Sequence, residues 1–203
     1  GPLAVFHQCR HFIGIEPHYN EEINKDRRFR GTYLLGVHRD LSAIYNQHTN
    51  FKHFQQAIKD TTTNYRSIGD FDLQASVDVV LSNSCLEHIE DLESTVEKLY
   101  DIAKPGSCFL HCVDFGNHIS KLDPFHSIYS VPKNISSFRQ FGLNLMRPPD
   151  ILDLYRSVGF ETECIPYYWG NELDTENLHS SWLARYSNRD LRLKVAILVG
   201  VKQ

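Results

Sequence analysis

Residues 77–117 read VDVVLSNSCLEHIEDLESTVEKLYDIAKPGSCFLHCVDFGN, and this stretch decides the fold of the chain. The run at 77–81 is rich in β-branched apolar residues and ends in polar ones, which predicts a buried strand of a parallel sheet. Apolar residues then recur at helical spacing over 92–102, and a Lys-Pro-Gly turn at 104–106 closes this helix. A second buried strand follows at 107–113, so the unit is strand, helix, parallel strand.

Polar residues are concentrated where these two strands end. Ser and Asn close the first strand, an acid closes the second, and histidines follow both. In open parallel sheets, ligands bind at the carboxyl ends of the strands, because the loops that leave these ends meet at one edge. The sequence therefore predicts a binding edge that contains Ser82, Asn83, His88, Asp114 and His118.

Similar elements flank this unit on both sides. Strands are predicted at 11–16, 64–68, 160–169 and 193–201, and helices at 3–9, 41–58, 148–158 and 177–186. This alternation predicts an α/β fold, with a Rossmann-like, mostly parallel sheet and helices on both faces. We expect a single domain over residues 1–203, in which the aperiodic segment 115–146 is an insertion or lid on the substrate side.

Composition narrows the class of protein. With 203 residues, 23.5 kDa and 41% hydrophobic residues, the chain can bury a core of its own. A net charge of −4 and a pI near 6.3 disfavour general nucleic-acid binding. No apolar run approaches the roughly 20 residues that cross a membrane. The five cysteines lack CxxC spacing, which indicates reduced thiols in the core, and we therefore expect a cytoplasmic protein.

Two acidic positions outside the central unit are candidates for binding a nucleoside. Glu16 closes a predicted strand, where a carboxylate can accept hydrogen bonds from both ribose hydroxyls, although an acid before a Pro17 turn needs no such role. Asp70 and Phe71 suit an adenine, with the carboxylate accepting from the exocyclic amine and the ring packing on the base. A solvated turn also explains this pair.

Four motifs occur in order along the chain. They are Val77-Asp78-Val79-Val80-Leu81-Ser82-Asn83-Ser84-Cys85-Leu86-Glu87-His88, then Lys104-Pro105-Gly106-Ser107, then Asp114, and then Arg147-Pro148-Pro149-Asp150 through Gly159-Phe160. In this order they resemble the class I S-adenosylmethionine-dependent methyltransferases. Each motif is weak alone, and the ordered series is more specific. The resemblance runs from about Phe12 to the C-terminus and implies a C-terminal strand antiparallel to the others.

The resemblance implies S-adenosylmethionine as the cofactor and gives each candidate residue a role. Glu16 would bind the ribose, Asp70 and Phe71 would frame the adenine, and Ser82 and Asn83 would approach the methionine end through their backbone. His88 would lie near the cofactor. The acceptor side would contain Asp114, His118, His126 and Arg147.

One family feature is missing from this sequence. The acid-x-Gly-x-Gly-x-Gly loop after the first strand does not occur, and Gly1 is either its last glycine or, with Pro2, a protease scar. The spacing from Gly1 to Glu16 favours the remnant. In the family the first strand lies between two others, and buried unpaired backbone groups cost on the order of 1–3 kcal/mol each. We therefore expect preceding residues, or another segment, to fill this place.

The implied reaction is methyl transfer from a sulfonium to a small-molecule or saccharide-type acceptor. This in-line displacement needs alignment and no metal, and we expect no metal site. An oxygen acceptor also needs a base, for which His88, Asp114, His118 and His126 are candidates, each of which could instead be structural or solvated. Two alternatives stay open: a degenerate binding module without catalysis, and a nicotinamide-dependent oxidoreductase, which would need a GxGxxG loop.

Overall fold

A computed structural model describes residues 1–20, 22, 26, 28–70, 75–118, 124–125, 127–133, 141–170, 173 and 177–203. The chain forms two compact units, Gly1–Asp72 and Leu73–Gln203. Each unit has its own β-sheet. We describe each of them separately.

In its described residues, the first unit contains a small parallel sheet and three α-helices. Its elements are α1 (Pro2–Phe6), β1 (Phe12–Ile15), a π-helical turn (Phe29–Tyr33), α2 (Leu34–Tyr45), α3 (Phe51–Thr61), β2 (Thr62–Tyr65) and a 3₁₀ turn (Ile68–Asp70). Strands β1 and β2 are parallel, with Ile15 opposite Tyr65. Val5, Phe6 and Phe54 form the buried core of this unit. The sequence predicted both strands, α1 and α3 to within a few residues at their ends, whereas α2 begins seven residues before the predicted range and the π-helical turn was not predicted.

The second unit contains the four-stranded sheet and the central motif of the sequence. Its elements are β3 (Val77–Asn83), a 3₁₀ turn (Leu86–His88), α4 (Leu92–Ile102), β4 (Ala103–Asp114), α5 (Pro148–Ser157), β5 (Phe160–Trp169), α6 (Ser180–Leu183), α7 (Asn188–Arg192) and β6 (Leu193–Lys202). The strand order is β3-β4-β6-β5.

The directions of these strands confirm the predicted α/β class. Strand β3 is parallel to β4, whereas β6 is antiparallel to both β4 and β5. Three strands therefore share one direction and the C-terminal strand runs against them, as the resemblance implies. Asp91 begins α4 by accepting a hydrogen bond from the Ser94 amide (3.1 Å), and the helix buries its predicted apolar positions.

Two local features differ from the sequence prediction. Strand β4 begins at Ala103, so the predicted turn at 104–106 is a bulge within the strand, where Gly106 has φ +76°. Strand β3, predicted as buried, is only partly buried: Val80 and Ser82 on one face are half-buried. On its other face Val79 and Leu81 are 50% and 63% exposed, because no described element covers them.

Strand β3 is an edge strand among the described residues. Strands β1 and β3 belong to separate sheets, and β3 ends the order of the four-stranded sheet. No described strand pairs with the outer side of β3. What fills this place stays a prediction, and intact mass with N-terminal sequencing of the natural protein would test it.

Two expectations from composition concern the membrane and the thiols. None of the helices in the described part of the chain combines the length and apolarity needed to cross a bilayer. The five cysteines are thiols outside any disulfide, as expected, but Cys85 and Cys108 are exposed rather than in the core.

Candidate active site

The candidate site of the second unit lies beyond the carboxyl end of β3. After this strand, Ser84 adopts a left-handed conformation (φ 48°), and its amide donates to the Cys112 carbonyl of β4 at 2.8 Å. This reversal directs the chain into the 3₁₀ turn Leu86–His88. The turn carries Glu87 and His88 at the sheet edge that the sequence predicted.

A segment distant in sequence holds this turn in place. The Asn144 side chain donates to the carbonyls of Leu86 (2.7 Å) and Ile89 (2.9 Å), and the Asn144 amide donates to the Glu87 carbonyl (2.8 Å). His88 Nδ1 lies 2.9 Å from the Gly142 carbonyl oxygen. Because a carbonyl only accepts, Nδ1 carries the proton of the neutral ring and Nε2 keeps its lone pair.

Glu87, His88 and His118 come together at this edge. One ligand-type atom from each lies within 4.8 Å of the others, and the two imidazole ring centroids are 5.1 Å apart. Glu87 is 3% exposed, whereas both histidines are exposed. His118 follows β4 with φ 57°, a left-handed conformation that turns its ring back toward His88. The sequence placed both histidines here but did not single out Glu87.

The Glu87 carboxylate has an unusual environment. Burial raises its pKa, while the backbone amides of Glu87 and Asp114 and the nearby imidazoles of His88 and His118 lower it. Its Oε1 atom accepts a long hydrogen bond from the Asp114 amide (3.4 Å). Its Oε2 atom is buried and finds no donor among the described residues. This oxygen needs a partner that the described side chains do not supply.

Asp114 closes β4 as predicted, and both of its carboxylate oxygens accept hydrogen bonds. Oδ1 accepts from the Gly116 amide at 2.8 Å, and Oδ2 accepts from Lys194 Nζ at 3.3 Å. This geometry favours the alternative in which Asp114 orients the loop after the strand. Its role as a base stays a prediction.

Arg147 lies close to this edge but is fully buried. Its guanidinium donates to the carbonyls of Phe115 (3.2 Å), Asp190 (2.8 Å), Leu191 (3.2 Å) and Leu193. Its charge lies 4.7 Å from the Phe115 ring centroid. Burial lowers the pKa of this group, and an arginine still stays charged. These contacts with carbonyls give Arg147 a structural role. Its contact with the acceptor stays a prediction.

A small cavity of about 10 Å³ lies between these groups, with Glu87, Asp114, Asn144 and Arg147 among its lining residues. This volume holds about one water molecule. In its present form the cavity is therefore too small for an organic acceptor.

On the inner face of the sheet, a hydrogen-bonded chain begins at Ser82. Ser82 Oγ lies 2.7 Å from His111 Nδ1, and Tyr155 Oη lies 2.8 Å from His111 Nε2. Burial lowers the pKa of His111 to about 4. The Ser82 side chain is thus engaged within the sheet, which leaves its backbone and the exposed Asn83 for the predicted cofactor contact.

The predicted nucleoside-binding residues of the first unit lie beyond its parallel strands. Glu16 follows β1 directly, is exposed, and accepts from the His18 amide through Oε1 (3.1 Å). Asp70 ends the 3₁₀ turn after β2 and accepts from the Ser67 amide (3.2 Å). A Cβ on Gly1 would lie 3.6 Å from the Phe12 ring at the start of β1. Phe71 and His126 lie outside the described residues.

Sequence reasoning missed Glu87 and Asn144. Glu87 is part of the Leu-Glu-His motif, so the motif itself was a signal for it. Its burial was not predictable from a polar turn. Asn144 is 58 residues from Leu86, and nothing local indicates that its amide holds that turn.

A family model described as a methyltransferase domain matches residues 4–165, which is well over half of the chain. A search of curated proteins finds no match to this chain.

Two of the solved structures with similar folds are methyltransferases of low identity to this chain. A candidate S-adenosylmethionine-dependent methyltransferase from Listeria monocytogenes is 13% identical, with a TM-score of 0.50 over 99% of this chain and 84% of that one. Phosphoethanolamine N-methyltransferase 2 from Haemonchus contortus, in complex with S-adenosyl-L-methionine, is 15% identical, with a TM-score of 0.46 over 75% of this chain. The match covers only 40% of that Haemonchus chain. Likeness at such identities concerns the fold alone.

Proposed function

This chain belongs to the methyltransferase-domain family, and we propose that it transfers the methyl group of S-adenosylmethionine to a small-molecule or saccharide-type acceptor. The family match over residues 4–165 carries this proposal. The antiparallel β6 between β4 and β5 supports it, since most dinucleotide-binding sheets are wholly parallel. This strand direction counts against the nicotinamide-dependent oxidoreductase.

The proposed cofactor contacts follow the predicted roles. Glu16 accepts hydrogen bonds from the ribose hydroxyls, because its carboxylate is exposed directly beyond a parallel strand. Asp70 and Phe71 frame the adenine. Ser82 and Asn83 offer their backbone to the methionine end, since the Ser82 hydroxyl is already bonded to His111. Gly1 takes the place of the last loop glycine.

The acceptor side of the proposal is the edge formed by Glu87, His88, Asp114 and His118. A methyl group moves in line from sulfur to the acceptor, so the protein has to align the two atoms. A protonated acceptor loses its proton, and an exposed imidazole such as His88 or His118 can take it near neutral pH. His126 and Arg147 are proposed to contact the acceptor from the segment that follows.

Calorimetric titration of the chain with S-adenosylmethionine tests the proposal. We expect binding, and we expect Glu16→Gln to weaken it about 10- to 100-fold, because hydrogen bonds to a charged group are lost. The control is Glu97→Gln, which removes the same charge from the exposed side of α4 and should leave binding unchanged. Equal binding by both variants would reject the role of Glu16.

The degenerate binding module remains the second candidate, because the sequence lacks the acid-x-Gly-x-Gly-x-Gly loop. The same titration separates the two functions. Absence of binding by this chain and by a longer form with the loop would support the module. Binding by the longer form alone would support the enzyme and assign cofactor affinity to the loop.

A further inference from the structure

We propose that Glu87, His88 and His118 form a binding site for one divalent transition-metal ion, for which Zn²⁺ is a suitable ion. Two imidazoles and one carboxylate are a common ligand set for zinc and for other first-row metals that retain open positions. The proposal goes beyond methyl transfer, which needs no metal. It also differs from the sequence expectation of no metal site.

The distances between the three donors fit such an ion after a small adjustment. The candidate ligand atoms lie within 4.8 Å of one another. Around a tetrahedral ion with bonds of about 2.1 Å, ligand atoms are roughly 3.4 Å apart. The required approach of at most about 1.4 Å is within reach of side-chain rotation, since both histidines are exposed.

One ring nitrogen of His88 already makes the kind of hydrogen bond that a metal-bound histidine makes. Its Nδ1–H donates to the Gly142 carbonyl at 2.9 Å, which fixes the tautomer and leaves Nε2 to bind the ion. Metal-bound histidines usually donate their other N–H to a carbonyl or carboxylate in this way. Asn144 holds the turn that carries both Glu87 and His88, so two of the three ligands are held in position.

Glu87 supplies an independent argument for a cation at this site. The residue is 3% exposed, and its Oε2 atom has no hydrogen-bond donor among the described residues. The described ion pairs give Glu87 no lysine or arginine partner. The buried Arg147 donates to backbone carbonyls instead. A bound cation would compensate this carboxylate, because a buried charge without a partner is costly.

A cation at this edge would change what the two imidazoles contribute. A metal-bound nitrogen has no lone pair for a proton, so His88 and His118 would no longer act as bases in the metal-loaded protein. The ion would instead polarise an acceptor oxygen bound at an open position and lower its pKa. This consequence rests on the proposed function, whereas metal binding itself does not.

Calorimetric titration of the metal-free full chain with ZnCl₂, without S-adenosylmethionine, tests the site. We expect His118→Gln and Glu87→Gln each to weaken zinc binding at least 10-fold, since each removes one ligand. His48→Gln is the control, because it removes an exposed histidine of the first unit. MgCl₂ should give no comparable binding, because imidazole is a poor ligand for magnesium.

The five cysteine thiols can also bind zinc, so the stoichiometry of zinc binding alone does not identify the site. The comparison of variants identifies it. Zinc affinity that stays unchanged in His118→Gln, a substitution of an exposed residue that should fold normally, would overturn the proposal. The Co²⁺-loaded protein provides a second readout: visible d–d bands that His118→Gln abolishes would support the site, and bands that this variant leaves unchanged would overturn it. Absence of zinc binding would overturn the metal site without changing the binding of S-adenosylmethionine that we expect from the proposed function.

Discussion

Two rows of residues cross the four-stranded sheet one position apart and have opposite environments. The inner row, in register across β3, β4, β6 and β5, is Ser82, His111, Leu198 and Cys164. The outer row is Leu81, Leu110, Val199 and Glu163. His111 and Leu198 are 1% and 0% exposed, whereas Leu81 and Leu110 are 63% and 43% exposed.

The covering helix, rather than residue polarity, decides which of the two rows is buried. Helix α5 packs on the inner row, with the Tyr155 hydroxyl on His111 and the Tyr155 ring 4.2 Å from Phe109. The polar side chains of that row are tolerated because Ser82, His111 and Tyr155 form one hydrogen-bonded chain. The leucines of the outer row have no described element over them.

A pair of leucine truncations is the strongest test of the difference between the rows. Leu198→Ala should lower the free energy of unfolding by about 2–5 kcal/mol, because it leaves a cavity in the covered face. Leu81→Ala should cost less than about 1 kcal/mol, because its side chain already contacts water. Urea unfolding followed by tryptophan fluorescence measures both, since Trp169 and Trp182 lie in the same unit. Equal losses would mean that the outer row is covered in solution.

The inner row should also make stability depend on pH. Burial lowers the pKa of His111 from 6.5 to about 4. Between these values the unfolded chain binds a proton that the folded chain does not. The stabilisation is therefore complete above about pH 6.5 and is lost as the pH falls toward 4, by about 3 kcal/mol in total.

NMR titration of the His111 ring signals provides the measurement. They should stay unchanged as the pH is lowered from 7 to 5, because the buried ring remains neutral. A titration midpoint near pH 6.5 would show that His111 is open to water. The stability would then not depend on pH through His111.

The sequence predicted most of the fold because local signals were strong. Strand β5 was predicted at 160–169, where it lies, and α4 begins with the predicted acidic turn. The exposed face of β3 could not be predicted, since a run of valines and leucine indicates a strand but not which side is covered. The sequence also did not predict the bulge at 104–106, because Lys-Pro-Gly is a common turn at the end of a helix.

The candidate site was predictable only in part. Strand ends bring His88, Asp114 and His118 to one edge, and the strand-helix-strand pattern was sufficient to expect this. The position and hydrogen bonding of each side chain depend on partners distant in sequence. Asn144 holds the turn that carries Glu87, and Lys194 pairs with Asp114. Such contacts depend on tertiary packing, which periodicity does not reveal.

Removing the hydroxyl from a buried and from an exposed tyrosine tests the hydrogen-bonded chain of the inner row, with the smallest expected effect on stability. Tyr155→Phe removes the hydroxyl that lies 2.8 Å from His111 Nε2 and leaves a buried nitrogen without its partner. The free energy of unfolding should fall by about 1–2 kcal/mol, since an unpaired buried polar atom is costly. Tyr167→Phe removes the same hydroxyl from a side chain that is 72% exposed, so it should change stability by less than about 0.5 kcal/mol. Equal effects in the two variants would show that the hydrogen-bonded chain adds nothing to the covered face.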